Sequence, residues 1–572
     1  MNIRQLLDDR LTTALHQLGA ASSASAIVKP SARPEFGDYQ ANGVMAVAKQ
    51  LQTNPRELAS RLIAHVDLSD IADKLEVAGP GFINIHLNSQ WLAQQLVQNT
   101  AEANPQPQTI VVDYSGPNLA KEMHVGHLRS TIIGDAVARV LAYQGHHVIR
   151  QNHVGDWGTQ FGMLIAHMVS LQAHDNAWAM QLADLESFYR EAKKRFDTEA
   201  GFADLARDYV VKLQSGDAAC RQLWQQFIDI SLNHCEALYK ELGVQLTRAD
   251  VKAESSYNDD LAAIVQNLKD QQLLVEDNGA QCVFLETFKT KDGSITPIIV
   301  QKSDGGYLYA TTDLAALRYR SQVLNADRIL YFTDARQALH FQQVFSLARQ
   351  AGFVKPALSL EHMPFGNMLG EDNKPFKTRS GGTVKLIDVL TEAKERVYKV
   401  VSEKNPDLAE NERQQIANVV GVGAVKYADL SKNRVSDYIF NWDNMLSLEG
   451  NTAPYLQYAY ARIQSIFRKA GNIDVANAEI TLSESAERNL AIKLLQFTEA
   501  VDSVAREGLP NHLSTYLYEL AGNFMTFYEH CPILKDDVSV KIRNSRLHLA
   551  KLTADTLKTG LNLLGIDVLD RM

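Results

Sequence analysis

Two histidines, His124 and His127, lie on either side of Gly126 in the stretch 118–127, which has the sequence NLAKEMHVGH. A β-branched run, TIVVDYS, comes before it and predicts a buried strand; apolar residues at helical spacing predict a helix from about Gly126. Open α/β sheets bind ligands where such a strand passes into a helix. Helix N-terminal N–H groups and imidazoles both suit a phosphate. A glycine also lets a flat purine lie against the backbone. The stretch therefore predicts nucleotide chemistry at an α-phosphate.

Two other interpretations of the histidine pair remain open at this point. Histidines three residues apart can share a metal, but zinc needs three or four ligands, so the pair alone predicts no metal site. The two histidines could also be ordinary polar residues with satisfied hydrogen bonds. Asn118, Lys121 and the position between strand and helix favour the nucleotide site.

The bulk properties indicate a soluble chain of several domains. At 572 residues, roughly three or four domains are expected. The chain has no apolar run of the roughly 18 residues that a membrane-spanning helix needs. Its four cysteines lie far apart without a C-x-x-C pair, which fits a reducing cytoplasm. The net charge of −10 argues against nucleic acid only if no basic face exists.

The order of elements predicts an α/β, multidomain chain. Residues 1–105 indicate a small α+β domain with an N-terminal helix, and the strand, helix and strand after it indicate a doubly wound parallel sheet. A helix-like insertion is expected from about 168 to 290. The sheet pattern is expected to resume near GYLYATTDLAA and RILYFTDARQ, and HMPFGNMLGEDNKPFKTRSGG predicts a hairpin with a glycine-tipped loop. Residues 449–572 are helical throughout.

One C-terminal helix carries an excess of cations. Residues 541–558 contain five Lys or Arg residues against Asp555, and their apolar residues step by three or four. This pattern predicts a helix with a core stripe and a basic outer face made by Lys541, Arg543, Arg546, Lys551 and Lys558. An ordinary solvated face explains the same charges.

The block from Val111 to Gly162 closely resembles the catalytic start of class I arginyl-tRNA synthetases of the bacterial type, with HVGH in place of the HIGH motif. Further matches run along the whole chain: FGDYQANG, GPGFINI, GGYLYATTDLAA, EGNTAPYLQYAYAR and the terminal RM. The resemblance implies a Rossmann-like catalytic domain at 106–365, a stem-contact region at 366–448 and an all-α anticodon-binding domain at 449–572. The N-terminal domain would then recognise the D-loop of a tRNA.

The resemblance also implies the reaction and its catalytic residues. Arginine would attack the α-phosphate of ATP, with Mg²⁺ on the ATP, and the arginyl group would pass to the terminal adenosine of tRNA(Arg). His124, His127 and Lys121 would serve the phosphates. The family's KMSKS motif is degenerate here, as FKTRSGG, so Lys121 would compensate for its missing lysine beside Lys377 and Arg379. Asp156 and Trp157 would shape the floor of the site.

The substrate contacts follow from the same resemblance. A guanidinium demands carboxylates or carbonyls in fork geometry. The residues expected to bind arginine are Gly116, Pro117, Asn118, His127, Glu254, Tyr309, Asp313 and Gln337. If the segment is helical, Tyr309 and Asp313 share one face; for Asp313 alone, a helix N-cap would be the ordinary role. The residues expected to contact tRNA are Phe82, Asn84, Tyr455, Tyr528 and Met572.

Two rival functions share some of these features. A small-molecule nucleotidyltransferase would use the same histidines but would need neither the N-terminal nor the C-terminal domain. A non-catalytic tRNA-binding relative would not need both histidines, Lys121 and Asp313. The family is usually monomeric, so the resemblance implies a monomeric cytoplasmic enzyme without a membrane partner.

Overall fold

The computed structural model describes residues 1–31, 33–98, 104, 106–172, 184–374, 376, 384–471, 473–476 and 478–572. Within these residues the helices are α1 (Ile3–Gln17), α2 (Val44–Gln50), α3 (Pro55–His65), α4 (Ser89–Gln98), α5 (Val125–Tyr143), α6 (Thr159–Gln172), α7 (Leu185–Thr198), α8 (Phe202–Gln214), α9 (Ala218–Leu242), α10 (Asn258–Asp270), α11 (Tyr309–Gln322), α12 (Ala338–Gln350), α13 (Leu386–Lys404), α14 (Glu410–Leu430), α15 (Trp442–Met445), α16 (Ala453–Ala470), α17 (Ser485–Leu495), α18 (Phe497–Glu507), α19 (Asn511–His530) and α20 (Val540–Leu563).

The strands of the described residues form four sheets. They are β1 (Val28–Pro30), β2 (Tyr39–Ala41), β3 (Ala72–Ala78), β4 (Phe82–Leu87), β5 (Thr109–Asp113), β6 (His147–Gln151), β7 (Val275–Asp277), β8 (Ala280–Val283), β9 (Ile298–Gln301), β10 (Arg328–Tyr331), β11 (Ser359–His362), β12 (Met368–Leu369) and β13 (Tyr438–Ile439). The sheet orders are β1-β2-β4-β3, β11-β10-β5-β6, β12-β13 and β7-β8-β9.

The N-terminal part is an antiparallel four-stranded sheet packed against helices, as the α+β prediction required. Helix α1 buries Ile3, Leu7, Leu11 and Ala14, which repeat every three or four residues along one face. It ends before Gly19, whose positive φ of 97° reverses the chain at little steric cost. The predicted N-terminal helix is confirmed.

The central sheet positions the site. Its four strands are all parallel, and α5 connects β5 to the neighbouring strand β6, so the predicted strand–helix–strand unit is confirmed. Strand β5 is buried because helices cover both faces of a parallel sheet, which explains its continuous apolar run. Since all four strands point the same way, the loops that follow them meet at one edge.

One of the expected sheet elements is wrong, and another has a partner strand that the sequence did not predict. GYLYATTDLAA opens helix α11 rather than a strand, and the strand before it, β9, belongs to a separate antiparallel sheet. The predicted hairpin near 362–376 is supported, because the N–H of Gly370 donates to the carbonyl of Lys374 at 2.8 Å and the N–H of Phe376 donates to the carbonyl of Met368 at 3.1 Å. Its first strand, β12, also pairs in parallel with β13, which lies about 70 residues further along the chain. The sequence around β12 carries no sign of so distant a partner.

The insertion and the C-terminal part are mainly helical. The insertion contains α7 to α10 and the hairpin of β7 and β8, so it is helix-like but not wholly helical. Helix α20 buries the predicted core stripe of Leu547, Ala550, Ala554, Leu557, Leu561 and Leu564. The prediction that Arg546 belongs to the basic outer face is wrong. Its side chain is buried and donates to Glu487, 2.7 Å away, so it supports the helical bundle and does not face solvent.

Candidate active site

A cavity of about 880 Å³ lies at the carboxyl edge of the parallel sheet. Its walls come from the segments that follow all four strands, together with the start of α5 and residues of the insertion. It brings together nine of the predicted substrate-binding residues: Gly116, Asn118, His124, Gly126, His127, Glu254, Tyr309, Asp313 and Gln337. Pro117 and Lys121 do not line it. Sequence positions more than 200 residues apart therefore meet in one space.

The histidine wall consists of His124, Gly126 and His127. His124 caps helix α5, and its Nδ1 accepts the N–H of Gly126 at 3.0 Å. The Nδ1 of His127 accepts the N–H of His124 at 3.1 Å. Because a backbone N–H can only donate, Nδ1 is unprotonated in both rings and the proton of each neutral ring sits on Nε2.

Both imidazoles are neutral at physiological pH. Burial, and then the charge of Lys121, lower the pKa of His124; burial, and then His124, lower the pKa of His127 to about 3. The histidine wall therefore offers two Nε2–H hydrogen-bond donors and no positive charge. Gly126 has a steric role here, since a Cβ at this position would lie 2.7 Å from Cε1 of His124.

Lys121, one of the cations predicted to serve the phosphates, does not line the cavity. The Nζ of Lys121 lies 4.5 Å from the ring centroid of Tyr189 on α7. Lys377 and Arg379 lie outside the described residues. On the near side of that stretch Phe376 lines the cavity, and on the far side the carbonyl of Val384 accepts the N–H of Val125 at 3.1 Å.

The acidic wall consists of Glu254, Tyr309, Asp313 and His340. Helix α11 begins at Tyr309, so Asp313 lies one turn inside it on the same face and is not the N-cap. The Nε2 of His340 lies 2.6 Å from Oδ2 of Asp313, and the His340 ring packs edge-on against Tyr309. Burial, and then the charges of Asp313 and Asp156, raise the pKa of Glu254 to about 7. Two acids thus share a partly desolvated space.

Behind the acidic wall lie Asp156 and Trp157. Asp156 accepts both the N–H and the hydroxyl of Ser255, at 2.9 and 2.5 Å, and burial still raises its pKa. Trp157 packs edge-on against Trp224 of α9. Neither residue lines the cavity, so they support the segments that do.

Sequence reasoning missed several lining residues. His153 approaches Asp313 at 4.0 Å, and Arg336 lines the cavity while pairing with Asp334 at 2.7 Å. Phe365, Met368 and Phe376 give the cavity an apolar wall. The one available signal was position: His340 and Arg336 lie within three residues of Gln337 in the segment ARQALH.

The predicted tRNA contacts are scattered over the outer domains. Phe82 is half-buried at the start of β4, but Asn84 is only 2% exposed and its Oδ1 accepts Nε2 of Gln40 at 2.7 Å. Its amide therefore does not face solvent as a base-reading group would; the neighbouring Gln40 is the more accessible of the two amides. In the β2–β4 ladder Asn84 lies directly opposite Gln40, which places the two amides side by side.

At the opposite end of the chain, Met572 lines a second cavity of about 900 Å³ with four cations: Arg462, Arg468, Lys558 and Arg571. The guanidinium of Arg462 also lies 5.0 Å from the ring centroid of Tyr528. Tyr455 is half-buried against Tyr518. Glu412 and Asp570 also line this cavity, but the four cations outnumber them, and with the half-buried tyrosines nearby this suits a nucleic acid.

Models of known protein families match three consecutive parts of the chain. The model "tRNA synthetases class I (R), catalytic domain" matches residues 89–442, "Arginyl tRNA synthetase N terminal domain" matches 2–87 and "DALR anticodon binding domain" matches 456–572. Together with the parallel sheet and its HVGH segment, they define a class I aminoacyl-tRNA synthetase.

Comparison with similar proteins identifies the family within this class. Two proteins named "Arginine--tRNA ligase", from Marinomonas sp. and Hahella chejuensis, are 60% and 59% identical to this chain over the full length of both sequences. The solved arginyl-tRNA synthetase of Plasmodium falciparum superimposes with a TM-score of 0.86 at 32% identity, covering 100% of this chain and 99% of its own. That of Thermus thermophilus gives 0.86 at 25% identity over 100% of both. The chain belongs to the arginyl-tRNA synthetase family, which rules out the small-molecule nucleotidyltransferase.

Proposed function

We propose that the chain activates L-arginine with ATP to arginyl-adenylate and transfers the arginyl group to the 3′-terminal adenosine of tRNA(Arg). The observation that carries this proposal is a cavity with neutral hydrogen-bond donors on one wall and partly buried carboxylates on another. The donors suit a phosphate at which charge develops, and the carboxylates suit a guanidinium.

The histidine wall would hold the α-phosphate of ATP. The Nε2–H groups of His124 and His127 donate to its oxygens, and the apolar wall of Phe365, Met368 and Phe376 takes the adenine. Mg²⁺ would enter on the phosphate oxygens of ATP, because the described residues contain no group of three or more His, Cys, Asp or Glu side chains placed to bind a metal. Bound there, it would neutralise phosphate charge.

The acidic wall would bind the arginine side chain. Asp313 and the ionised form of Glu254 accept from the guanidinium, with Tyr309 and Gln337 beside it. Gly116, Asn118 and His127 would meet the amino and carboxylate groups. Pro117 would act only through the turn, where its carbonyl accepts the N–H of Gly155 at 3.1 Å.

The chemistry is two displacements. A carboxylate oxygen of arginine forms a bond to the α-phosphorus while the bond from that phosphorus to the bridging oxygen breaks, and pyrophosphate leaves. A hydroxyl of the terminal adenosine then attacks the carbonyl carbon, and AMP leaves. Phosphoryl displacement depends mainly on positioning and charge stabilisation, which the walls supply.

Positive charge for the departing pyrophosphate would come from Lys121, Lys377 and Arg379. Lys121 would leave the Tyr189 ring and reach the phosphates, joined by Lys377 and Arg379. Because Lys121 packs against the Tyr189 ring and does not line the cavity, we propose that activation requires bound tRNA to complete the site. Phe82, Gln40 and Asn84 would lie at the D-loop, and Tyr455, Tyr528 and Met572 at the anticodon.

The chain would act as a monomer in the cytoplasm. Its four functional domains would be separated by boundaries at residues 105, 365 and 448. No helix among the described residues is long and apolar enough to cross a membrane.

The deciding experiment is arginine-dependent exchange of pyrophosphate into ATP, measured with and without tRNA(Arg). Exchange with arginine and tRNA is expected, and much less without tRNA. Lysine and glutamine serve as control substrates. Exchange driven by either of them would overturn the substrate assignment, and no exchange at all would favour a non-catalytic tRNA-binding relative.

A further inference from the structure

The turn that follows β5 has an unusual backbone. Ser115 and Gly116 both have positive φ, 70° and 52°, and both line the cavity. For a residue with a side chain this conformation is unfavourable and persists only when surrounding contacts impose it. Something in the fold must therefore hold Ser115 in place.

A closed ring of buried hydrogen bonds surrounds this turn. The N–H of Gly116 donates to Oδ1 of Asn152 at 2.9 Å, and Nδ2 of Asn152 donates to the hydroxyl of Tyr239 at 3.0 Å. The Tyr239 hydroxyl lies 2.7 Å from Oγ of Ser115, which closes the ring. Tyr239 is only 3% exposed, and burial raises the pKa of its hydroxyl, so the hydroxyl keeps its proton.

Tyr239 belongs to the insertion and not to the parallel sheet that carries the turn. It lies on α9, and two more side chains from the same helix reach the same region. Nε1 of Trp224 donates to the carbonyl of Asp156 at 2.7 Å, and Oγ of Ser231 donates to the carbonyl of Leu119 at 2.8 Å. Steps of seven and eight residues place all three on one face of the helix.

We propose that α9 supports the part of the arginine site formed by the turn after β5. Tyr239 is the positioning residue that holds the Ser115–Gly116 turn in its left-handed conformation. Gly116 and Asn118 then meet the amino acid in the correct geometry. The inference rests on the proposed function for the identity of the ligand. It assigns the insertion a part in arginine binding while leaving the ATP contacts of the histidine wall independent of Tyr239.

Tyr239→Phe removes only the hydroxyl and tests the proposal directly. In tRNA-supported exchange, we expect the KM for arginine to rise about tenfold, as for loss of one buried hydrogen bond, with the KM for ATP and kcat within about twofold. The matched control is Tyr427→Phe. It removes another buried hydroxyl, which donates to Asn451 and Ser514 away from the cavity, and it should lower the melting temperature without changing the KM for arginine.

Two substitutions at Ser115 test the backbone part and do not depend on the folding of Tyr239→Phe. Ser115→Ala and Ser115→Gly both remove Oγ, but glycine adopts positive φ freely whereas alanine does not. Ser115→Ala should therefore raise the KM for arginine more than Ser115→Gly, by at least about threefold.

An unchanged KM for arginine in Tyr239→Phe, equal shifts for arginine and ATP, or a shift matched by Tyr427→Phe would each overturn the positioning role. Equal effects of Ser115→Ala and Ser115→Gly would overturn the conformational part. These results differ from a failure of the proposed function, in which the unmodified chain itself would show no arginine-dependent exchange.

Discussion

The histidine wall of the cavity comes from one short segment, whereas the acidic wall draws side chains from three segments between Glu254 and His340. In the histidine wall, backbone N–H groups of the same segment fix both ring tautomers. In the acidic wall, burial and then the charge of Asp313, which is remote in sequence, raise the pKa of Glu254 to about 7.

The difference between the two walls shows which properties of a site a short stretch of sequence can supply. A hydrogen-bond donor aimed at a phosphate needs only a cap and a helix N-terminus, both of which a ten-residue stretch can supply. A site for a buried cation needs several acids brought close together, and their mutual repulsion must be sustained by the whole fold. Changes in the first wall should therefore affect the chemical step, and changes in the second should affect arginine binding.

The largest effect is expected for His127→Ala. It removes an Nε2–H donor and should lower kcat for arginine activation on the order of 10²-fold or more, by analogy with loss of an oxyanion-hole donor. Pyrophosphate exchange at saturating arginine and ATP measures it. His147→Ala changes an exposed histidine outside the cavity and is the control. An unchanged rate for His127→Ala would remove that residue from the site.

Asp313→Asn should mainly weaken arginine binding. It replaces a charged acceptor by a neutral one, so the KM for arginine should rise roughly 10- to 100-fold while kcat changes less. Steady-state exchange over a range of arginine concentrations measures it. If the KM stays normal, Asp313 does not bind the guanidinium and the contrast between the two walls fails.

Gly126→Ala should affect ATP and leave arginine binding nearly unchanged. The added methyl group would meet the His124 ring, and the resulting displacement should lower kcat/KM for ATP about tenfold to thirtyfold. The matched control is Gly522→Ala, a helical position on α19 where the added Cβ has no atom within 4 Å. Equal effects of the two substitutions would show that the His124 ring is not the cause.

The smallest effect is a dependence of arginine binding on pH. Because the pKa of Glu254 is raised to about 7, its carboxyl is protonated below that pH and ionised above it. A guanidinium binds the ionised form, so the KM for arginine should fall as pH rises from 6 to 8, by at most roughly tenfold for one group. In Glu254→Gln the KM for arginine should lose this dependence on pH. A KM that rises with pH in the unmodified chain would contradict the assignment.

Much of the fold follows from local patterns. The spacing of apolar residues predicts α1, α5 and α20, and the β-branched run predicts β5, because burial of one helical face or of a whole strand leaves a direct record in the sequence. The pairing of β12 with β13 left no such record, since a two-residue strand has no periodicity of its own.

By itself, the sequence determined that His124 and Gly126 lie at the start of a helix, because caps and turns depend on neighbouring residues. Only the tertiary structure decided that His340 meets Asp313, that Asn84 and Arg546 turn inward, and that Tyr239 of the insertion supports Ser115. Contacts between distant segments depend on how whole elements pack, and residue spacing within one element does not encode that packing.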